Sequence, residues 1–71
     1  MKYGSLVTCR WEGYVPLYRE IHGEFLTPFY NDEVGIVVDF RYSHTDVPYV
    51  EILTPRGIKG WVRYEKVEVL Q

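Results

Sequence analysis

Apolar and polar positions alternate with a period of two through most of the second half of this chain. The run Val34-Gly-Ile-Val-Val-Asp-Phe-Arg-Tyr42 is followed by a polar stretch over 43–48 and by Tyr49-Val-Glu-Ile-Leu-Thr54. An Arg56-Gly57 turn then leads into Gly60-Trp-Val-Arg-Tyr-Glu-Lys-Val-Glu-Val-Leu70. Alternation rich in β-branched and aromatic residues, broken by short turn-forming clusters, predicts a meander of four short strands. Ile36, Val38 and Phe40 form the expected inward set of the first of these, with Val37, Asp39 and Arg41 outward. Val50, Ile52 and Val62 are the expected core positions downstream; Tyr49, Glu51, Leu53, Trp61 and Arg63 point the other way. Mixed charge pairs among Asp39, Arg41, Glu51 and Arg63 are expected across that outer face. Gly35 inside a strand predicts a bulge or a close backbone approach. Tyr64-Glu-Lys66 interrupts the alternation and fits one short helical turn before a last strand over 67–70.

Upstream, Ser5-Leu-Val-Thr-Cys-Arg-Trp11 alternates so that Val7, Cys9 and Trp11 share a face, which predicts a first strand. Residues 12–33 form a long excursion, and 22 residues without structure would be unusual in so small a domain. The segments 18–21 and 24–27 flank His22-Gly23, a pair suited to a tight two-residue hairpin turn with positive φ at both positions. Pro16 and Pro28 are expected at the two feet of this arm, because a missing N–H marks strand ends more naturally than strand middles. Tyr14, Leu17, Tyr18, Phe25, Phe29 and Tyr30 give the arm more apolar surface than a hairpin can bury alone. They either close one end of the barrel or form a docking surface. The expectation is an all-β fold, a small five-stranded barrel with a hairpin-like excursion over about residues 12–33 after the first strand.

Length and composition set the limits. Seventy-one residues make one domain, 1–71, and a chain of this size hides only about 60% of the surface its unfolded form exposes, so the core is thin. The single cysteine, Cys9, has no internal disulfide partner, and no His/Cys cluster has the spacing of a metal site. Stability then falls to packing, to which twelve aromatic residues can each contribute about 150–250 Å² of burial, or to a partner, which can include a second copy of the chain. The net charge of −2 and pI near 5.6 argue against a general basic surface of the kind that binds nucleic acid non-specifically. The excess negative charge lies within residues 1–34, which hold three basic and five acidic side chains; residues 35–71 hold five of each. No apolar run approaches the roughly 20 residues that span a bilayer, and the first residues lack the apolar stretch of a signal peptide. A cytoplasmic, reducing-compartment protein without membrane association is the expectation.

Candidate chemistry is sparse. Cys9 stands on the apolar face of the first strand with no histidine nearby in sequence, which favours a buried small hydrophobe over a nucleophile. His44 and Asp46 sit on a polar hairpin tip and read as a solvated loop. With no defensible Ser/His/Asp order, phosphate-binding glycine loop or metal spacing, the chain is expected to be neither an enzyme nor a holder of cofactor or metal.

Five strands, a long excursion after the first and a helical turn before the fifth resemble the plan of SH3-like barrels over nearly the whole chain. Gly57-Ile-Lys-Gly60-Trp61-Val62, followed by Val67, resembles the Gly-x-x-Gly-Trp-Val signature of bacterial SH3 domains, which implies cell-wall peptide binding; the same glycines also suit a simple turn. Gly4-Ser5-x-Val7 and Glu33-Val34-Gly35-x-Val37 resemble the SH3-like stromal subunit of photosystem I. The Gly-x-Val-Val strand and Glu-Val-Leu ending are most similar to stand-alone SH3-like proteins encoded by phages, which implies an accessory or structural role. Gly35-Ile-Val37 with Arg41, Arg56, Lys59, Arg63 and Lys66 supports a second reading, a KOW-like nucleic-acid-binding barrel; interleaved Asp39, Glu51, Glu65 and Glu68 offset those cations. The leading expectation is a non-enzymatic protein-binding module that docks on a larger protein or assembly. The barrel resemblance would bring Tyr14 and Tyr18 of the excursion toward Tyr64, with Trp61 on the adjoining strand. Tyr14, Tyr18, Trp61 and Tyr64 are therefore the candidate partner-binding residues, being of the types enriched where interfaces hold most of their energy.

Overall fold

A computed structural model describes residues 3–70; Met1, Lys2 and Gln71 lie outside them. The described chain is all-β, with strands β1 (Leu6–Cys9), β2 (Tyr14–Tyr18), β3 (Phe25–Tyr30), β4 (Gly35–Tyr42), β5 (Pro48–Leu53), β6 (Lys59–Arg63) and β7 (Val67–Val69). A 3₁₀ turn over Tyr64–Lys66 precedes β7, where the loss of alternation predicts it. The strands make one antiparallel sheet in the order β3-β2-β6-β5-β4-β1-β7, curled into a half-barrel. The strand count is thus seven and not five, because the 12–33 excursion contributes β2 and β3 to the sheet itself. Thr8 helps the curled sheet meet itself: its hydroxyl lies 3.0 and 2.9 Å from the carbonyls of Asn31 and Glu33 and shares its one hydrogen between them.

The core consists of Val7, Cys9, Val15, Leu17, Phe29, Val37, Val50, Ile52, Val62 and Val67, with Phe40 and Tyr64 packed against it. Leu17 and Phe29 are fully buried, so the arm builds core and does not merely cover it. Cys9 is buried, with its thiol against the Trp11 carbonyl at 3.2 Å. Trp11 itself lies beyond the end of β1 and is exposed, against expectation.

Five local readings are corrected. In β4 the inward residue before Phe40 is Val37, at 1% exposure, while Ile36 and Val38 face solvent. The register with β5 slips between Val37, opposite Ile52, and Asp39, opposite Glu51. Val38 is the extra residue of a bulge, and one extra residue inverts the facing of every position on one side of it. Gly35 shows the close approach, since a Cβ there would strike Ile52 Cγ2 and crowd Phe29.

In the arm, the turn at His22-Gly23 is replaced by a loop over 19–24. Gly23 has no positive φ, its N–H donates to the Glu20 carbonyl at 3.0 Å, and Arg19 N–H donates to the Glu24 carbonyl at 2.9 Å. Pro16 and Pro28 are not at the feet of the hairpin but directly opposite one another in its middle. Alternate pairs in an antiparallel ladder exchange no hydrogen bonds, and two prolines fit such a pair because neither N–H is needed there.

Gly60 lies inside β6 without positive φ, and only Gly57 (φ 82°) supplies the left-handed turn residue between β5 and β6. What Gly60 supplies is space: a Cβ there would stand 2.6 Å from Leu17 Cβ. The expected cross-strand charge pairs are also absent among the described residues. Asp39 faces Glu51, and the ion pairs run along the chain instead, Arg41 with Asp39 at 3.5 Å and Arg63 with Glu65 at 3.3 Å.

Candidate binding cleft

The outer edges of a sheet are where another chain would add as a strand. Both edges here are capped in part by side chains and turns. Because Pro16 and Pro28 form a pair that exchanges no bonds, the Pro28 carbonyl and the Tyr30 N–H point away from β2, toward the free edge of β3. Arg56 Nη2 donates to that carbonyl at 2.6 Å, and the Tyr30 N–H donates to Glu33 Oε1 at 3.0 Å. Arg56 is locked in place by two parallel bonds to Glu33, Nε to Oε2 at 2.8 Å and Nη2 to Oε1 at 3.0 Å, and by Nη1 donating to Thr27 Oγ1 at 2.7 Å. The Arg56 guanidinium holds the Glu33 carboxyl below its usual range, against the opposing effect of burial. At the other edge, the Val67 N–H donates to the Tyr64 carbonyl and the Val67 carbonyl accepts from Arg10 Nη2 at 3.2 Å.

The opening in this sheet is internal. β2 and β6 share a single register pair, Tyr18 with Trp61. Two positions on, the register would set Pro16 against Arg63, and Pro16 has no N–H with which to extend the ladder. There the strands part around a cleft of about 420 Å³ lined by Pro16, Tyr18, Ile21, His22, Gly23, Tyr49, Val62, Arg63 and Lys66. Its two walls differ chemically. The arm side presents Pro16, Tyr18 and Ile21, while β6 and the 3₁₀ turn present Arg63 and Lys66. Tyr49 lies at 7% exposure, and its hydroxyl accepts a long bond from Arg63 Nε at 3.5 Å. This bond, together with Glu65, raises the Arg63 pKa further above its already high value, so the group stays a cation. His22 stands edge-on to Tyr49 and to His44, with ring centroids 6.1 and 5.2 Å apart.

The four predicted aromatic residues do not form one surface. Tyr18 lines the cleft. Tyr14 shares its strand face but is exposed outside the cleft, tilted against Tyr30 at 6.1 Å. Tyr64 is half-buried against Phe40 at 6.5 Å. Trp61, beside Tyr18, is only 6% exposed and lies under the Arg41 guanidinium, 5.3 Å from the ring centroid, so its ring is covered and offers no docking face.

Sequence reasoning missed Pro16, Ile21, His22, Tyr49 and Lys66 as a lining set. The available signal was a proline two residues before Tyr18, able to stop a ladder if it lay mid-strand. Among the described residues no group of three or more His, Cys, Asp or Glu side chains is placed to hold a metal ion, and no helix is long and apolar enough to cross a membrane. No family model, curated protein or solved structure matches this chain.

Proposed function

We propose that this chain is a non-enzymatic protein-binding module, an elaborated SH3-like barrel of the kind phages encode, acting as an accessory or structural protein that docks on a larger protein or assembly. In that reading β1, β4, β5, β6 and β7 are the five barrel strands and the β2–β3 hairpin is the elaborated excursion. The observation that carries it is the cleft between β2 and β6, a concave site with tyrosine and proline walls in a sheet whose two edges are partly capped. Recognition then runs through side chains in the cleft and not through strand addition. The KOW-like alternative loses ground because three of its five cations are already paired within the chain: Arg56 grips Glu33, Arg41 pairs with Asp39 over Trp61, and Arg63 pairs with Glu65.

The test is capture from a lysate of the producing cells by immobilised wild type and by Tyr18→Ala, alongside mobility-shift titrations with duplex DNA and with RNA. Specific protein capture that falls at least about tenfold in the variant, about 1.4 kcal/mol, is expected. Nucleic-acid binding at low micromolar concentration without protein capture would overturn the reading.

A further inference from the structure

We infer that the β2–β6 cleft takes an extended acidic segment of a protein partner, seating an apolar side chain on the arm wall and a carboxylate against Lys66. The inference rests on the protein-binding reading and gives the partner its chemistry. Three observations converge on it.

The first is charge. The chain carries a net charge of −2, yet the cleft lining contains Arg63 and Lys66 and no aspartate or glutamate. A site poor in acid on an acid-rich chain attracts anionic groups and repels cationic ones. Arg63 is held by Tyr49 and Glu65, while Lys66, exposed on the last residue of the 3₁₀ turn, makes no ion pair among the described residues.

The second is the division of the walls. Pro16, Tyr18 and Ile21 line the cleft from the arm, and Arg63 and Lys66 line it from β6 and the 3₁₀ turn. A segment that satisfies both alternates apolar and acidic positions, as an extended chain does when successive side chains point to opposite sides.

The third is size. A volume of about 420 Å³ falls in the range of small-ligand sites and admits a few side chains of an extended segment, whereas a helix is about 10–12 Å across.

The test is selection from a phage-displayed library of random octapeptides against the intact chain, followed by fluorescence polarisation with the labelled winners. Lys66→Glu is the principal variant, because its side chain is exposed and the backbone bond from the Arg10 N–H to the Lys66 carbonyl, 3.1 Å long, does not depend on it. Selected peptides should be enriched in Asp and Glu flanking an apolar residue. Their affinity should fall at least about tenfold in Lys66→Glu and weaken as salt rises. Lys66→Glu should itself select peptides with fewer acidic residues.

Peptides that bind through Tyr18 but show no acidic preference and no response to Lys66→Glu would overturn this inference while leaving the protein-binding reading standing. Selection of no peptide, with an eight-nucleotide single-stranded DNA binding in the same cleft, would overturn both. Thermal melts of the variant, expected to match wild type within about 2 °C, keep a folding defect from being read as lost binding.

Discussion

The β4–β5–β6 meander and the β2–β3 arm are both antiparallel β-structure, but they are held in the molecule by different forces. Within the meander, β5 pairs along its length with β4 on one side and β6 on the other, so backbone hydrogen bonds fix every strand. The arm is paired internally over Tyr14–Tyr18 and Phe25–Tyr30, yet it joins the remaining sheet through the one pair Tyr18 with Trp61. Its attachment comes from side chains: Leu17 and Phe29 buried completely in the common core, and Arg56 gripping Glu33, Thr27 and Pro28 at the outer edge. A strand fixed by packing need not stay parallel to its neighbour along its full length. That freedom is what leaves a cleft beside Pro16.

The comparison breaks first at Phe29. If packing attaches the arm, Phe29→Ala removes its largest buried anchor and should cost about 3–5 kcal/mol. A domain of this length has a total stability of only about 4–10 kcal/mol, so the variant should lose about a third or more of it, read as a large fall in the urea midpoint by far-UV circular dichroism. A loss below about 1 kcal/mol would mean that the arm is a free appendage and that the core closes without it.

A smaller effect is expected where the two regions touch. Gly60 in β6 leaves room for Leu17 of β2, and Gly60→Val would drive a side chain into that contact, with an overpacking cost of about 1–3 kcal/mol. At roughly 4–8 °C per kcal/mol for a domain of this size, the fall in Tm is easily measured. Hydrogen exchange should quicken first in β2 and β3 and least in β4 and β5. Lys59→Ala, one residue away and exposed, should stay within about 0.5 kcal/mol of wild type. Uniform loss of protection across all strands in Gly60→Val would show that arm and meander are a single cooperative unit.

The same contrast explains how much was legible beforehand. In β5 the inward pair Val50 and Ile52 and the outward Glu51 follow from alternation alone, because β5 carries no extra residue against either neighbour, although Tyr49, expected outward, is buried as well. In β4 the phase fails at Val38, since a bulge turns Val37 inward and no local residue preference announces that. The arm hid more. Leu17 and Phe29 look like surplus apolar surface until the curled sheet supplies the cavity they fill. Pro16 and Pro28 read as boundaries when judged singly, but opposite each other they are compatible with the middle of a ladder.

Of the candidate site, Tyr18 was visible as an aromatic residue on the excursion. Trp61 was visible too but is covered by Arg41, a contact between strands that do not pair with each other. Lys66 looked like an ordinary surface charge, because its meaning depends on the absence of acidic residues from the cleft lining.

The smallest expected effect isolates the clamp at the arm's edge. Glu33 accepts both Arg56 bonds with its side chain only 13% exposed, and the Arg56 bonds lower its pKa from 4.5 in the folded chain. A carboxylate whose folded pKa is depressed adds stability that is fully present above its unfolded value. That stability is lost as the pH falls from about 4.5 through the folded pKa. Glu33→Gln keeps the shape and removes the charge, so its Tm should lie a few degrees below wild type at pH 7. The gap should hold steady down to about pH 5 and close progressively below pH 4.5, where the wild-type carboxylate also becomes neutral. Because the clamp acts at the β3 edge, the amide of Tyr30, which donates to the same carboxylate, should lose exchange protection in step with that gap. A Tm difference that stayed constant from pH 7 to pH 3 would assign the effect of the substitution to shape and not to the ion pair, and the arm would then rest on Leu17 and Phe29 alone.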